Sequence, residues 1–325
     1  MNILITGANG FLGSTILSRL PTSGVSVRAT DLSAASGTSG IVYQKADITR
    51  PEELKPVFEN VTTVIHVAGL AHIFSPDANL VEKFRQINEI GTANVASAAS
   101  AAGVGHLIVI SSVSVYGPYT QGIYNENTPC NPVGPYALSK YNAELRAIEI
   151  ARDSGMALTI LRLATLYGEG DPGNVGRLMR ALDRGRFFWI GDGRNRKSLL
   201  YKGDAARACM AVAERPASGI NIYNVSAPAC TMKNIVDGLA RELGKKPLPG
   251  RIPASIAMSA GKVLSCFPYK RVSGLHATIE KWLAEDVYDT SRFESDYGFH
   301  AEVDLSEGLK REVHWYRQSQ GRTCQ

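Results

Sequence analysis

Cysteine is scarce here: five residues, Cys130, Cys209, Cys230, Cys266 and Cys324, stand scattered through 325 positions with no CxxC pair. The odd number and wide spacing argue against a disulfide framework or a thiolate zinc site, and fit reduced thiols. Long apolar runs are also rare. The stretch that needs a membrane check, Ile252–Tyr269, covers about 18 residues but is broken by Lys262, three serines and two prolines. That pattern excludes a membrane-spanning helix and leaves one facing the core or a partner. The first strand-like run, Asn2–Thr6, starts directly behind Met1 and leaves no room for a secretion signal, so a cytoplasmic location is expected. Internal repeats and low-complexity tracts are absent.

What the chain has is ordinary for a globular protein: 44% hydrophobic and 20% charged residues, with a net charge of +5. The charge is concentrated. Seven Lys or Arg fall between Arg177 and Lys197 against Asp183 and Asp192. Such a cluster suits a solvated face or a compact anion such as a diphosphate. Nucleic acid is not expected, because the only stacking candidates, Phe187, Phe188 and Trp189, sit side by side.

Strand candidates at 2–6, 25–30, 41–44, 63–67, 107–111 and 157–162 alternate with helix candidates at 11–20, 51–59, 79–102 and 136–154. This order predicts βαβ units and a doubly wound parallel sheet of the Rossmann type. Thr49 three before Glu52, with Pro51 between, predicts a capping box. After residue 165 turn-rich stretches such as YGEGDPGN, IGDGRNRK and KKPLPGRIP separate shorter elements. A smaller mixed lobe over 166–325 is therefore expected beside a dinucleotide domain over 1–165, with a strand near 221–225 returning to the sheet.

Gly7, Gly10 and Gly13 lie between the first strand and the first helix, the context a dinucleotide fingerprint requires. Glycine lets the backbone approach a pyrophosphate, which the helix N-terminus attracts. Asp31 ends the second strand candidate, where a carboxylate accepts from both ribose hydroxyls and repels a 2′-phosphate. NAD is expected over NADP, a preference Arg28 weakens slightly. Asp47, after the third strand, is a candidate for the adenine edge.

Further motifs follow: VIHVAG at 64–69, SSVSVYG at 111–117, Tyr136-Ala-Leu-Ser-Lys140 and LRLATLYGEG at 161–170. Tyrosine four before lysine puts both side chains on one helix face, where the cation draws the phenol's pKa down from about 10. With its Gly-x-x-Gly-x-x-Gly turn, the chain resembles the extended short-chain dehydrogenase/reductase superfamily. Within it, the resemblance is to NAD-dependent epimerases, dehydratases and reductases of nucleotide sugars, and it covers almost the whole chain.

The resemblance implies Ser112, Tyr136 and Lys140 as the catalytic trio, with Lys140 also on the nicotinamide ribose. It implies Phe11 and Leu12 around the pyrophosphate, and Ala68 and Gly69 beside the adenosine half. Ile48, Asn88, Ser111 and Leu163 join them as cofactor contacts. Ser114 and Tyr116 are placed at the sugar, and Asn174, Arg177 and Leu178 at the nucleotide base or diphosphate.

Three departures narrow the reading. Lys197 replaces a usual arginine at the diphosphate and lacks its bidentate fork, so Arg196 or Arg177 is expected to share that task. Thr165 stands where many 4-epimerases carry asparagine. Val113 and Ser114 occupy the Asp-Glu positions of 4,6-dehydratases, so water elimination lacks its acid and base.

The expected activity is 4-epimerisation of a UDP-hexose or UDP-N-acetylhexosamine. The alternative is reduction of a UDP-4-keto-6-deoxy sugar by NAD(P)H; HVAGLAH and LMRALDRG resemble bacterial surface-polysaccharide members with either activity. A homodimer is expected through the helices at 79–102 and 136–154.

Overall fold

The computed structural model describes residues 1–20, 24–33, 41–71, 79–117, 122–265 and 275–322. Its strands are β1 (Asn2–Thr6), β2 (Ser26–Asp31), β3 (Ile41–Lys45), β4 (Thr63–His66), β5 (His106–Ser112), β6 (Ala157–Leu163), β7 (Thr165–Tyr167), β8 (Trp189–Ile190), β9 (Arg196–Lys197), β10 (Leu199–Tyr201), β11 (Ile220–Val225), β12 (Cys230–Thr231) and β13 (Arg251–Ile252). Its α-helices are α1 (Phe11–Leu17), α2 (Pro51–Leu54), α3 (Leu80–Phe84), α4 (Gly91–Ala101), α5 (Pro135–Ser154), α6 (Asn174–Asp183), α7 (Lys202–Glu214), α8 (Met232–Leu243), α9 (Ala254–Ser265), α10 (Leu275–Leu283), α11 (Ser291–Tyr297) and α12 (Leu305–Arg322).

Seven strands form one parallel sheet in the order β11-β6-β5-β4-β1-β2-β3. Continuous apolar runs such as Ile3, Leu4 and Ile5, at most 1% exposed, belong to strands covered on both faces. One face packs Ile5, Ile16, Ile108, Val212, Tyr223 and Phe293, drawing on α1, α7 and α11. The other packs Leu4, Leu54, Val95, Leu107 and Ala147, drawing on α2, α4 and α5. The strand order reverses between β1 and β4, so a crevice opens at their carboxyl ends, where doubly wound sheets bind ligands.

Outside the sheet, three two-stranded ribbons (β7 with β10, β9 with β12, β8 with β13) join α6, α8 and α12 around Tyr167, Met179, Trp189, Leu239 and Leu309. The capping box of α8 anchors this part: Thr231 Oγ1 accepts from the Asn234 amide at 3.1 Å, and Asn234 Oδ1 accepts from the Thr231 amide at 3.0 Å.

Local expectations need three corrections. Thr49 makes no capping box; its hydroxyl donates to Asp47 Oδ1 at 2.8 Å, and Arg50 precedes α2 without a side-chain cap. The nearby carboxylate wins the hydroxyl, as Asx turns do. The helix expected over 79–102 is three pieces, with a π-helical turn at Arg85–Ile90 between α3 and α4. The first helix ends at Leu17. Of the apolar stretch 252–269, positions 266–269 lie outside the described residues, as do Cys266 and Cys324. Its helix α9 meets α10 at Gly261, where a Cβ would stand 3.0 Å from Ile279 Cδ1. No described helix is long and apolar enough to cross a membrane.

Candidate active site

The glycine turn is built for close backbone approach. Gly7 holds φ +69°, and a Cβ there would fall 2.5 Å from the Ala68 amide nitrogen. A Cβ on Gly13 would stand 2.1 Å from Gly7 O, so that glycine lets α1 start against the turn. Gly10 caps α1 with no side-chain bond, and a Cβ there would meet only Gly7 O, at 3.1 Å. The first amides of α1 thus have no capping side chain at Gly10, which suits a pyrophosphate.

Asp31 stands across this turn. Its Oδ2 accepts from the Asn9 amide at 2.9 Å and its Oδ1 from the Leu32 amide at 2.7 Å, leaving lone pairs on both oxygens. Arg28 points elsewhere, donating to the carbonyls of Pro56 and Val57 at 2.9 and 3.1 Å. It does not offset the preference set by Asp31, and the cradle fits NAD. Asp47 spends Oδ1 on the Thr49 amide and hydroxyl. Ile48 is 7% exposed and packs on Gly91. Phe11 lies under the Lys202 ammonium, 5.3 Å from its ring centre, while Leu12 and Leu163 are core residues.

The expected trio meets at the carboxyl end of β5. Ser112 ends that strand and Tyr136 stands in the first turn of α5, with the Ser112 hydroxyl near enough to act on the phenol. Phe84 packs edge-on against the Tyr136 ring at 5.8 Å. Lys140, one turn along α5, is 9% exposed, and its Nζ donates to Ile110 O at 2.5 Å. Burial lowers the Lys140 pKa to about 8, with the Glu144 carboxylate pulling it back up. The Tyr136 phenol corrects the expectation: burial raises it above 10, and only the Ser112 hydrogen bond opposes this. The Lys140 ammonium, donated to Ile110 O, is not among the groups that oppose this rise.

Asn88 clamps the pieces together from the π-helical turn. Its Oδ1 accepts from the Leu70 amide at 2.6 Å; its Nδ2 donates to Leu70 O and Ser139 Oγ, both at 3.0 Å. The loop carrying Ala68 and Gly69 is thereby tied to α5, and the π-turn gives the reason, since such turns re-aim side chains.

Beneath the trio runs a buried polar network not read in the sequence. Arg162 donates to both oxygens of Glu144, the shortest contact 2.6 Å, with the side chains 5% and 1% exposed. Ser111 Oγ donates to Glu144 at 2.5 Å, Arg162 also reaches Tyr116 Oη at 3.0 Å, and Tyr116 donates to Asn224 at 2.7 Å. Two assignments change. The Ser111 hydroxyl serves Glu144 rather than a cofactor, and Tyr116, 3% exposed, is a strut rather than a sugar contact. A signal for the network was there: Tyr136, Lys140 and Glu144 repeat every four residues, and Arg162 interrupts the apolar strand LTILRL. His66, also unread, bridges the hydroxyls of Thr6 at 2.7 Å and Thr92 at 3.0 Å; burial, then the charge of Lys140, lower it to about 3, so it is neutral.

On the far side, Asn174 and Arg177 are exposed in the first turns of α6 with Leu178 half-buried, and Thr165 begins β7 opposite Leu199. The buried Ser114 hydroxyl lacks a hydrogen-bond partner among the described residues. Lys197 needs correction: its Nζ donates to Asp286 Oδ2 at 2.6 Å and Lys281 O at 2.7 Å, and it is 6% exposed. Successive strand residues face opposite ways, so Arg196 is the exposed one, paired with Glu285 at 3.1 Å. Among the described residues no cluster of His, Cys, Asp or Glu is arranged to hold a metal.

A family model for the NAD dependent epimerase/dehydratase family matches residues 3–226. The chain is 29% identical over 320 residues to N-acetyl-alpha-D-glucosaminyl-diphospho-ditrans,octacis-undecaprenol 4-epimerase of Escherichia coli O157:H7, covering 97% of this chain and 95% of that protein. It is 26% identical to UDP-glucose 4-epimerase of Vibrio cholerae, covering 99% and 97%. The solved structure of MoeE5 in complex with UDP-glucose and NAD is similar at TM-score 0.79 and 27% identity, covering 98% of this chain and 100% of that one.

Proposed function

From a chain that belongs to the NAD dependent epimerase/dehydratase family, an enzyme family of the extended short-chain dehydrogenase/reductase type, we propose an NAD-dependent 4-epimerase of a nucleotide sugar, a UDP-hexose or UDP-N-acetylhexosamine. The observation that carries this reading is the convergence of Ser112 at the end of β5 with Tyr136 and Lys140 one turn apart on α5, Lys140 reaching Ile110 O of that strand, with no acid pair at Val113 and Ser114.

Gly7, Gly10 and Gly13 would hold the pyrophosphate of NAD, Asp31 its adenosine ribose, and Lys140 its nicotinamide ribose. Bound NAD supplies the hydride acceptor and donor. Tyr136 takes the proton of the sugar's C4 hydroxyl and returns it to the 4-keto oxygen, while Ser112 holds that oxygen in place. Phenolate formation needs positive charge nearby, because burial keeps the resting phenol protonated. Lys140, still largely cationic at neutral pH with a pKa of about 8, would contribute that charge on turning from Ile110 O towards the phenol. Residues 1–165 carry this chemistry, and 166–325 hold the diphosphate sugar, with Asn174, Arg177 and Arg196 as its contacts. Leu138 and Leu145, 48% and 46% exposed at a seven-residue spacing on α5, support a homodimer.

A second reading on the same Ser112, Tyr136 and Lys140 is a 4-ketoreductase of a UDP-4-keto-6-deoxy sugar, in which Tyr136 donates its proton to the bound ketone and NAD(P)H is consumed. A sugar joined to undecaprenol through a diphosphate, as the E. coli relative's name describes, would meet the same cations.

The test is incubation with UDP-glucose, UDP-N-acetylglucosamine, undecaprenyl-diphosphate N-acetylglucosamine and a UDP-4-keto-6-deoxy sugar, with and without NAD(P)H. Interconversion of C4 epimers without added reductant is expected, and Tyr136→Phe should slow it by about 10²–10⁴-fold. Turnover only with stoichiometric NAD(P)H would establish the reductase instead.

A further inference from the structure

The basic cluster between Arg177 and Lys197 is only partly absorbed by the site. Arg184 and Arg186, which follow α6, are exposed, and so are Lys245 and Lys246 after α8 and Arg251 on β13. The two runs lie side by side: β8 pairs with β13 in parallel, and the Leu248 amide donates to Phe187 O at 3.4 Å. None of these five cations lies within 4.0 Å of a carboxylate among the described residues. No Asp or Glu occurs between Arg184 and Ile190 or between Leu243 and Lys262.

Large apolar side chains stand among the charges. Phe188 is 49% exposed, Leu248 44% and Ile256, on the first turn of α9, 59%. The ground beneath them is firm. Phe187 and Trp189 are buried edge-to-face at 5.3 Å, Trp282 packs on Phe187 at 5.8 Å, and the Arg251 guanidinium lies over Trp189 at 5.8 Å. A cleft of about 480 Å³, lined in part by Asp192, Asn195, Arg251, Pro253 and Leu283, opens at the edge of this patch.

We propose that the patch formed by β8, β13 and the first turn of α9 docks the protein on an anionic lipid surface. Cations without counter-charges gain free energy beside anionic headgroups, and exposed Phe, Leu and Ile insert at the headgroup boundary. A second copy of this chain does not suit the patch, because it would set the same five cations against each other. A nucleic-acid duplex would satisfy the charges but leave Phe188, Leu248 and Ile256 in water. The association is peripheral, since no described helix can cross a bilayer. It holds whichever diphosphate sugar is turned over, and places the cleft beside Arg251 at the headgroups.

The test is co-sedimentation of the full chain with vesicles of phosphatidylcholine alone and of phosphatidylcholine mixed with phosphatidylglycerol. Binding only to the mixed vesicles, weakened by salt, is expected. The double variant Arg186→Glu/Lys246→Glu should lose at least about tenfold in partitioning. The double variant Phe188→Ser/Leu248→Ser should lose the fraction that resists salt. Lys55→Glu/Lys310→Glu changes net charge equally on other exposed surfaces and should bind as the parent does. All variants should keep the parent's thermal unfolding profile and its turnover of soluble substrate. The proposal is overturned if the parent binds neither vesicle, if the control variant loses as much as Arg186→Glu/Lys246→Glu, or if duplex DNA displaces the protein from vesicles at equal phosphate.

Discussion

Glu144 in the sheet half and Glu312 on α12 are both cut off from water, at 1% and 0% exposure, but their surroundings differ completely. Glu144 is gripped by Arg162 and Ser111 and lends its charge to Lys140. Neither oxygen of Glu312 makes a hydrogen bond among the described residues; burial, and then the Asp171 carboxylate, push it up to about 9. One acid is a charged part of the site's frame, the other a neutral group within the packing under the YGEGD turn. A buried carboxylate stays ionised only where a cation and donors replace its water.

Breaking the paired side should have the largest effect. Glu144→Gln leaves the Arg162 guanidinium buried without its carboxylate and should cost about 3–5 kcal/mol in urea unfolding. It also removes the charge that raises the Lys140 pKa. The activity lost as pH rises through about 8, when Lys140 deprotonates, should therefore be lost at lower pH in this variant. Ser111→Ala removes one donor to the same charge and should cost about 1.5–3 kcal/mol by the same measurement.

The unpaired side should respond with the opposite sign. A carboxyl whose folded pKa is raised stabilises fully below its unfolded value, and that contribution is lost as pH climbs towards about 9. Glu312→Met should raise stability by about 1–3 kcal/mol at mildly alkaline pH, and the gain should shrink towards acid pH. A surface pair supplies the lower limit. Arg196→Ala, which breaks the exposed contact with Glu285, should change stability by less than about 1 kcal/mol, although it should raise KM if Arg196 holds the diphosphate.

The same contrast explains what was legible beforehand. The alternation of strands and helices, the glycine turn and the Tyr136–Lys140 face were readable because each rests on local spacing. Asn2–Thr6 is a strand because consecutive apolar residues suit a two-sided core, and Gly7 and Gly13 are glycines because a Cβ would strike backbone. Lys197 was misread for the opposite reason. Its partner Asp286 is 89 residues away, and nothing near Lys197 signals that the ammonium is sequestered. Tyr116 and Ser111 sit inside recognisable motifs, yet their hydroxyls are claimed by Asn224 and Glu144, 108 and 33 residues distant.

By itself, the sequence determined the doubly wound sheet, the glycine turn and the shared face of Tyr136 and Lys140, since periodicity and steric demand act between near neighbours; Ser112 joined them as a candidate through the family resemblance. Only the tertiary structure decided which polar groups face a ligand and which face each other. Pairing of a buried charge depends on which distant strand or helix arrives beside it. The exposed cations and apolar residues of β8, β13 and α9 likewise become one surface only when two separated runs are folded edge to edge.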